Sequence, residues 1–283
     1  MKVPVTSGIV QDINPYKWRE HRFGLSPERW RYLGDKSFWI TGAGTGYGKC
    51  LAVALAAAGS TVFLTGRRKE KLQETIQEMH SLEIPSDKCH LLDADITDSK
   101  QVVETSERII SLCDSLYGLV NNAALPPNEH LPYPLQAGTL EEWDRIMRTN
   151  ITAPWFVTKT IFPHMKKGGA ARVLCVTSEA GWAFTPGFGP YNVSKAALNN
   201  LAASMAEECA SRFPDADIQI NALVPGEART EMNRNSNESP YSIVNMALLL
   251  LSCPVGGPNG KFFHRDGRHL QFAYSLPYEQ SLR

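Results

Sequence analysis

Short apolar runs alternate with longer stretches of helical character along most of this chain. Phe38-Trp39-Ile40 is followed by a glycine-rich turn and an alanine-rich stretch, Lys49 to Ala58, that stops at Gly59. A short apolar run bounded by glycine reads as a buried strand, and an apolar stretch of ten or more residues ending at glycine reads as a helix. The pattern then repeats. Strands are expected at Thr61–Thr65, His90–Ala94, Leu116–Val120, Val173–Val176, Ile218–Leu223 and Lys261–His264. Helices are expected from about Lys69 to His80, from Asp98 to about Cys113, from Thr139 to about Met165, from Pro190 to about Arg212 and from Tyr241 to Leu251. The helix from Thr139 is expected to kink or restart at Pro154, because proline removes a backbone donor and crowds the preceding turn. Strict alternation with no internal repeat and no linker predicts a single α/β domain. Its core is a doubly wound, mainly parallel seven-stranded sheet with helices on both faces.

The first 34 residues break this pattern and read as an N-terminal arm, with the domain at 35–270 and a C-terminal tail at 271–283. Asn14 to Tyr32 mixes aromatic residues with Lys17, Arg19, Arg22, Arg29 and Arg31. Ser26-Pro27-Glu28 combines an N-cap, a proline at the first helical position and an acidic first turn, so a short helix from about Pro27 to Leu33 is expected. A basic aromatic segment suits nucleic acid, phosphate or a partner subunit, but the preferred reading is an arm folded back on its own domain.

Composition narrows the partners. The chain has 283 residues, 43% of them hydrophobic, with 29 basic and 29 acidic side chains. That is enough to bury one substantial core, and a net charge of zero selects neither nucleic acid nor an anionic membrane. The six cysteines are scattered, with no metal-ligand spacing, so no metal site is expected and a reducing compartment fits. The N-terminus lacks a signal-peptide core, and the apolar runs are too short to span a bilayer. A cytoplasmic protein is expected.

The candidate chemistry clusters at strand ends. Gly42, Thr45, Gly46, Tyr47 and Gly48 stand between the first strand and its helix, where glycines admit a pyrophosphate and a helix N-terminus offers free N–H groups. Arg67 and Arg68 follow the second strand, at the place where an acidic residue would hold a ribose 2′-hydroxyl and an arginine accommodates a 2′-phosphate, which favours NADP(H) over NAD(H). Ser178 closes the fifth strand. Tyr191 and Lys195 are four residues apart on the next helix and so share one face. A neighbouring ammonium favours a phenolate, which makes proton transfer at a substrate oxygen feasible, and Ser178 would hydrogen-bond that same oxygen.

Taken in order, T-G-x-x-x-G-x-G at Thr41–Gly48, D-I-T-D at Asp95–Asp98, N-N-A at Asn121–Ala123, Asn150, Ser178, Y-x-x-x-K at Tyr191–Lys195 and P-G with Thr230 resemble the short-chain dehydrogenase/reductase family. The resemblance is close over about Lys36 to Thr230 and looser to Arg268. It implies a single-domain oxidoreductase that transfers a hydride between a nicotinamide and a carbonyl or secondary alcohol. In that family's terms Tyr191 is the general acid or base, and Lys195 lowers its pKa and holds the nicotinamide ribose. Ser178 polarises the carbonyl, and Asn150 holds a water that links Lys195 to solvent. Asp95 and Ile96 would flank the adenine, Asn122 and Ala123 would lie near the adenosine ribose, and Pro225, Gly226 and Thr230 would contact the nicotinamide end. A homodimer or homotetramer through the helices at Thr139–Met165 and Pro190–Arg212 is implied as well.

Three departures from the family pattern bear on the substrate. Ala124 replaces the usual glycine after N-N-A and opens a proline-rich loop from Leu125 to Gly138. Only about ten residues separate Thr230 from the helix at Tyr241, a short polar lid that suggests an open cleft and a bulky or polar substrate such as a sugar derivative. The usual C-terminal D-G-G appears as Asp266-Gly267-Arg268. Glu179, Trp182, Phe184 and Phe188 are candidates to line the cleft, or to pack the loop itself. Two rival readings are a catalytically silent dinucleotide sensor or scaffold, which would not need Ser178, Tyr191 and Lys195 intact, and a sugar-nucleotide-modifying relative, which would place glycine where Thr45 stands.

Overall fold

The computed structural model describes residues 13–127, 135–183 and 185–270. The strands are β1 (Ser37–Thr41), β2 (Thr61–Gly66), β3 (Cys89–Asp93), β4 (Gly118–Asn121), β5 (Ala170–Val176), β6 (Asp217–Val224), β7 (Phe262–His264) and β8 (His269–Leu270). They form one sheet in the order β3-β2-β1-β4-β5-β6-β7-β8. All neighbouring pairs from β3 to β7 are parallel, and β8 runs antiparallel along β7. Seven strands were expected from the apolar runs. The eighth is only two residues long, too short to leave a period-2 signal, and it pairs through the turn at Asp266–Arg268 rather than through its own hydrophobicity.

The helices are α1 (Trp18–His21), α2 (Pro27–Gly34), α3 (Gly46–Ala57), α4 (Lys69–Ser81), α5 (Ser99–Leu112), α6 (Leu140–Met147), α7 (Ala153–Lys167), α8 (Pro190–Arg212) and α9 (Val244–Leu251). Strand alternation explains the two cores. Phe38, Ile40, Val62, Leu64, Val120, Leu174 and Val176 point to one face, where α3, α4 and α9 cover them. Trp39, Phe63, Leu119, Val173 and Cys175 point to the other, under α5, α7 and α8. Side chains alternate faces along a strand, so consecutive apolar residues require cover on both sides.

The described part of the arm, from Ile13 onward, packs on the domain. Ser26 caps α2 by accepting a hydrogen bond from Arg29 N. The Trp18 indole donates to the Leu82 carbonyl at 3.0 Å, and Asn245 Nδ2 donates to the Phe23 carbonyl at 2.8 Å. Phe23 is fully buried and stacks on Tyr241 with ring centroids 6.0 Å apart. The tail at 271–283, the first twelve residues of the arm and Phe184 lie outside the described residues. The helix expected from Thr139 divides in two. Thr139 and Glu142 form a capping box for α6, a π-helical turn occupies Arg148–Thr152, and α7 restarts with Pro154 in its first turn. Proline is compatible there because first-turn N–H groups need no helical partner.

Candidate active site

The sheet reverses its winding between β1 and β4, and in open α/β sheets a crevice forms there at the carboxyl ends of the strands. The turn from β1 to α3 stands at that point. Gly42 and Gly46 have φ of +67° and +53°, values that side chains rarely tolerate. A Cβ on Gly42 would come within 2.9 Å of Ala123 Cα, and one on Gly48 would collide with the Gly42 carbonyl and the Asn122 amide. Thr45 occupies the N-cap position of α3 without capping it through its side chain. The helix therefore presents first-turn N–H groups with no side-chain partner, at a turn stripped of Cβ atoms. Those features fit a dinucleotide pyrophosphate.

The end of β4 braces this turn. Asn122 Nδ2 donates to the carbonyls of Thr41 and Gly42 at 2.9 and 3.1 Å, while Thr41 Oγ1 accepts from the backbone N–H of Asn122 and Ala123. Tyr47 Oη donates to the Gly226 carbonyl at 2.7 Å, which ties the first turn of α3 to the loop after β6. Gly226, at φ +66°, is covered on its other side by Arg265, whose Nη1 donates to the Glu227 carbonyl and to Ser242 Oγ.

α8 carries the candidate pair Tyr191 and Lys195 on its inner stripe. Tyr191, Ser194, Lys195, Leu198, Ala202, Ala206 and Cys209 are all buried, at the three- and four-residue spacing of one helix face. Tyr191 is 6% exposed and Lys195 2%. Burial pushes the Tyr191 phenol up to about 12, against the pull of its hydrogen bond with Ser178. The lowering by Lys195 expected from the sequence is not found: burial and the Ser178 hydroxyl account for the shift. Burial brings Lys195 down from 10.5 to about 8. The Lys195 ammonium donates to the Val176 carbonyl at 3.0 Å and lies 5.6 Å from the Tyr191 ring centre.

Ser178 reaches the phenol because the turn after β5 lies against α8. A Cβ on Gly181 would stand 2.6 Å from the Lys195 carbonyl carbon, so only glycine allows that approach. Ser178 Oγ also accepts from Ala180 N at 3.1 Å. Asn150 is buried in the π turn, where its side chain grips Leu125 through both N–H and carbonyl and donates to Ser194 Oγ at 3.1 Å. A π turn interrupts the regular i→i−4 ladder, and such turns recur at functional sites.

The remaining sequence candidates distribute as follows. Pro225 and Thr230 belong to the loop after β6, and the Thr230 methyl group lies over Gly46. Asp95 Oδ1 accepts from Thr97 N and Oγ1, while Ile96 lines a depression of about 130 Å³ with Thr97, Arg148 and Phe156. Arg67 is largely exposed and 4.0 Å from Asp95, and Arg68 pairs with Glu231 at 2.6 Å. Glu179 approaches His264 at 3.4 Å. Gly181, Ser194 and Arg265 were not anticipated, and Thr41 was expected only as the start of the glycine motif, not as a brace to the end of β4. Gly181 left a trace as a glycine three residues after Ser178, whereas Ser194 and Arg265 act through partners distant in sequence.

The comparisons with known proteins agree with this geometry. The family model for short chain dehydrogenase matches residues 36–240. The human dehydrogenase/reductase SDR family member 4 is 32% identical over 208 residues, covering 71% of this chain and 69% of the relative. The 3-oxoacyl-(acyl-carrier-protein) reductase of Aquifex aeolicus is 27% identical over 251 residues, covering 83% and 97%. Among solved structures, a short chain dehydrogenase from Salmonella enterica serovar Typhi superposes with a TM-score of 0.75 at 23% identity, covering 85% of this chain and 99% of that one. A short chain dehydrogenase from Shigella flexneri, solved in complex with NADP, gives 0.73 at 24% identity, covering 82% and 97%. With the family model spanning well over half its length, this chain belongs to the short-chain dehydrogenase/reductase family of oxidoreductases.

Proposed function

We propose that this protein is an NADP(H)-dependent oxidoreductase acting on a carbonyl or secondary alcohol, with Tyr191 as its proton donor and acceptor. The observation that carries the reading is Tyr191 and Lys195 buried one turn apart on α8 with the turn that carries Ser178 packed against that helix, beside a crevice headed by an uncapped helix. When bound, the nicotinamide supplies or accepts the hydride. Gly42, Thr45, Gly46, Tyr47 and Gly48 would hold its phosphates and Arg67 and Arg68 the 2′-phosphate. Asp95, Ile96, Asn122 and Ala123 would hold the adenosine, and Pro225, Gly226 and Thr230 the nicotinamide end.

The residues divide the proton work. A phenol that keeps its proton at neutral pH is suited to donate it to a carbonyl oxygen, and the Ser178 hydroxyl donates a second hydrogen bond to that oxygen. The phenolate left behind is stabilised by the Lys195 cation. A lysine titrating near 8 can pass protons on, and Asn150, set in a π turn, would hold the water that connects it to solvent. The oxoacyl reductase relative, by its name, reduces a carbonyl, which supports the same direction here.

The assembly and compartment follow the same line of support. A homodimer or homotetramer would cover Leu140, Trp143 and Trp155, which are exposed on α6 and α7. All six cysteines are free, in keeping with the cytoplasm, and among the described residues no helix is long and apolar enough to cross a membrane.

NADPH oxidation against a panel of aldehydes and ketones tests the reading. Tyr191→Phe should lose about 10²- to 10⁴-fold in turnover while retaining the circular dichroism of the native fold. An unchanged rate in that variant would remove Tyr191 from the mechanism.

A further inference from the structure

The Arg68–Glu231 ion pair joins two loops that the sheet order keeps apart. Arg68 follows β2 and Glu231 follows β6, with β1, β4 and β5 between them. At about 4.8 Å per strand, the two strand ends are separated by roughly 19 Å. The loop after β6 must therefore reach back across the crevice, over the turn from β1 to α3, to make this contact. Thr230, one residue earlier, confirms the path. A Cβ on Gly46 would come within 3.2 Å of its methyl group. The segment is folded rather than extended, since Thr230 N donates to the Asn233 carbonyl and Arg229 N to the Glu238 carbonyl.

Glu231 is the anion at the centre of a cationic cluster. Arg68 Nη2 lies 2.6 Å from Glu231 Oε2, and Lys71 Nζ lies 3.9 Å from Oε1. Arg234 adds a third positive field, and together these groups hold the carboxyl below its ordinary range. Lys71 is shared with Glu74, whereas Arg68 Nη2 donates to Glu231.

We propose that Glu231 stands where an anionic group of the ligand would sit, so that it competes with the 2′-phosphate of the dinucleotide for Arg68 and straps the crevice until that phosphate displaces it. Glu231 is thereby a specificity-determining residue. A dinucleotide without the 2′-phosphate leaves the pair intact, and one that carries it exchanges one anion for another on the same guanidinium. The proposal rests on the reading of Arg68 as a 2′-phosphate ligand. Because Arg68 and Glu231 are about half exposed, the competition is modest and shielded by salt.

The test uses adenosine 2′,5′-bisphosphate and adenosine 5′-monophosphate as probes, with dissociation constants measured by calorimetry on the full chain at low salt. Glu231→Gln should bind the bisphosphate about three- to fivefold more tightly and the monophosphate with unchanged affinity, at an unchanged melting temperature. Arg68→Ala should weaken the bisphosphate about tenfold or more and leave the monophosphate alone. If Arg68→Ala binds both probes as the native protein does, the 2′-phosphate reading itself falls and the proposal with it. If Arg68→Ala weakens the bisphosphate but Glu231→Gln does not strengthen it, the phosphate site stands and the competition is overturned. An equal gain for both probes in Glu231→Gln would also overturn it, because that outcome marks a steric lid rather than a rival anion.

Discussion

At the scale of single residues, Lys195 shows how the site departs from what stability alone would choose. Its ammonium is 2% exposed with the Val176 carbonyl as its hydrogen-bond acceptor. Its pKa stands at about 8 in the fold against 10.5 in solvent. Between those values the unfolded chain binds more protons than the native one, so the contribution of this residue to stability rises as pH goes from about 8 to 10.5. Below pH 8 the buried charge costs about 3 kcal/mol in full. Lys195→Met keeps the length and removes the charge. It should raise the unfolding free energy by about 2 kcal/mol at pH 7 in urea titrations, lose that advantage by pH 10.5, and abolish turnover. A gain of equal size at both pH values would show that burial of the charge is not the cause.

At the scale of elements, the site depends on two backbones approaching closely. The turn after β5 carries Ser178, and α8 carries Tyr191 and Lys195. Gly181 is the point of contact between them, and its missing Cβ faces the Lys195 backbone carbonyl, which cannot rotate away as a side chain could. Gly181→Ala should push the turn off α8 and separate the Ser178 and Tyr191 hydroxyls. Displacements of about 1 Å at a reacting group cost about 10²-fold. Turnover in NADPH-coupled assays should fall by that order, with the Michaelis constant for cofactor little changed because the turn from β1 to α3 lies elsewhere. Native turnover in Gly181→Ala would mean that the turn carrying Ser178 has slack.

At the scale of the whole molecule, the described part of the arm belongs to the core, through Ile13, Phe23, Leu25 and Leu33. Phe23 is fully buried between Trp30 and Tyr241, and it has φ +51° next to Arg22 at +48°. Left-handed conformations cost a residue with a side chain roughly 1 kcal/mol each, so the surrounding contacts must hold them. Truncating a buried phenylalanine costs about 3 to 5 kcal/mol. Phe23→Ala should lower the urea midpoint of the entire domain in a single transition. A separate early transition that leaves the domain midpoint untouched would instead mark the arm as an independent flap.

The motifs at Gly42–Gly48, Asn121–Ala123, Ser178 and Tyr191–Lys195 were legible because each depends on local chemistry: a glycine where the backbone turns, a four-residue spacing on one helix face, a polar residue at a strand end. The alternation of apolar runs likewise determined a parallel sheet covered on both sides, since such strands can be satisfied in no other way. The short eighth strand, the contact of Gly181 with Lys195, the cover of Gly226 by Arg265 and the reach of Glu231 to Arg68 were not legible. The eighth strand is too short to leave a period-2 signal, the Gly181 and Gly226 contacts depend on how a turn packs on its neighbours, and the reach of Glu231 to Arg68 crosses the order β3-β2-β1-β4-β5-β6-β7-β8, where no local pattern encodes a neighbour four strands away. The pKa of Tyr191 belongs to the same class. Sequence places an ammonium on the same helix face, but only the tertiary structure removes the water, and that loss of solvent sets the direction of the shift.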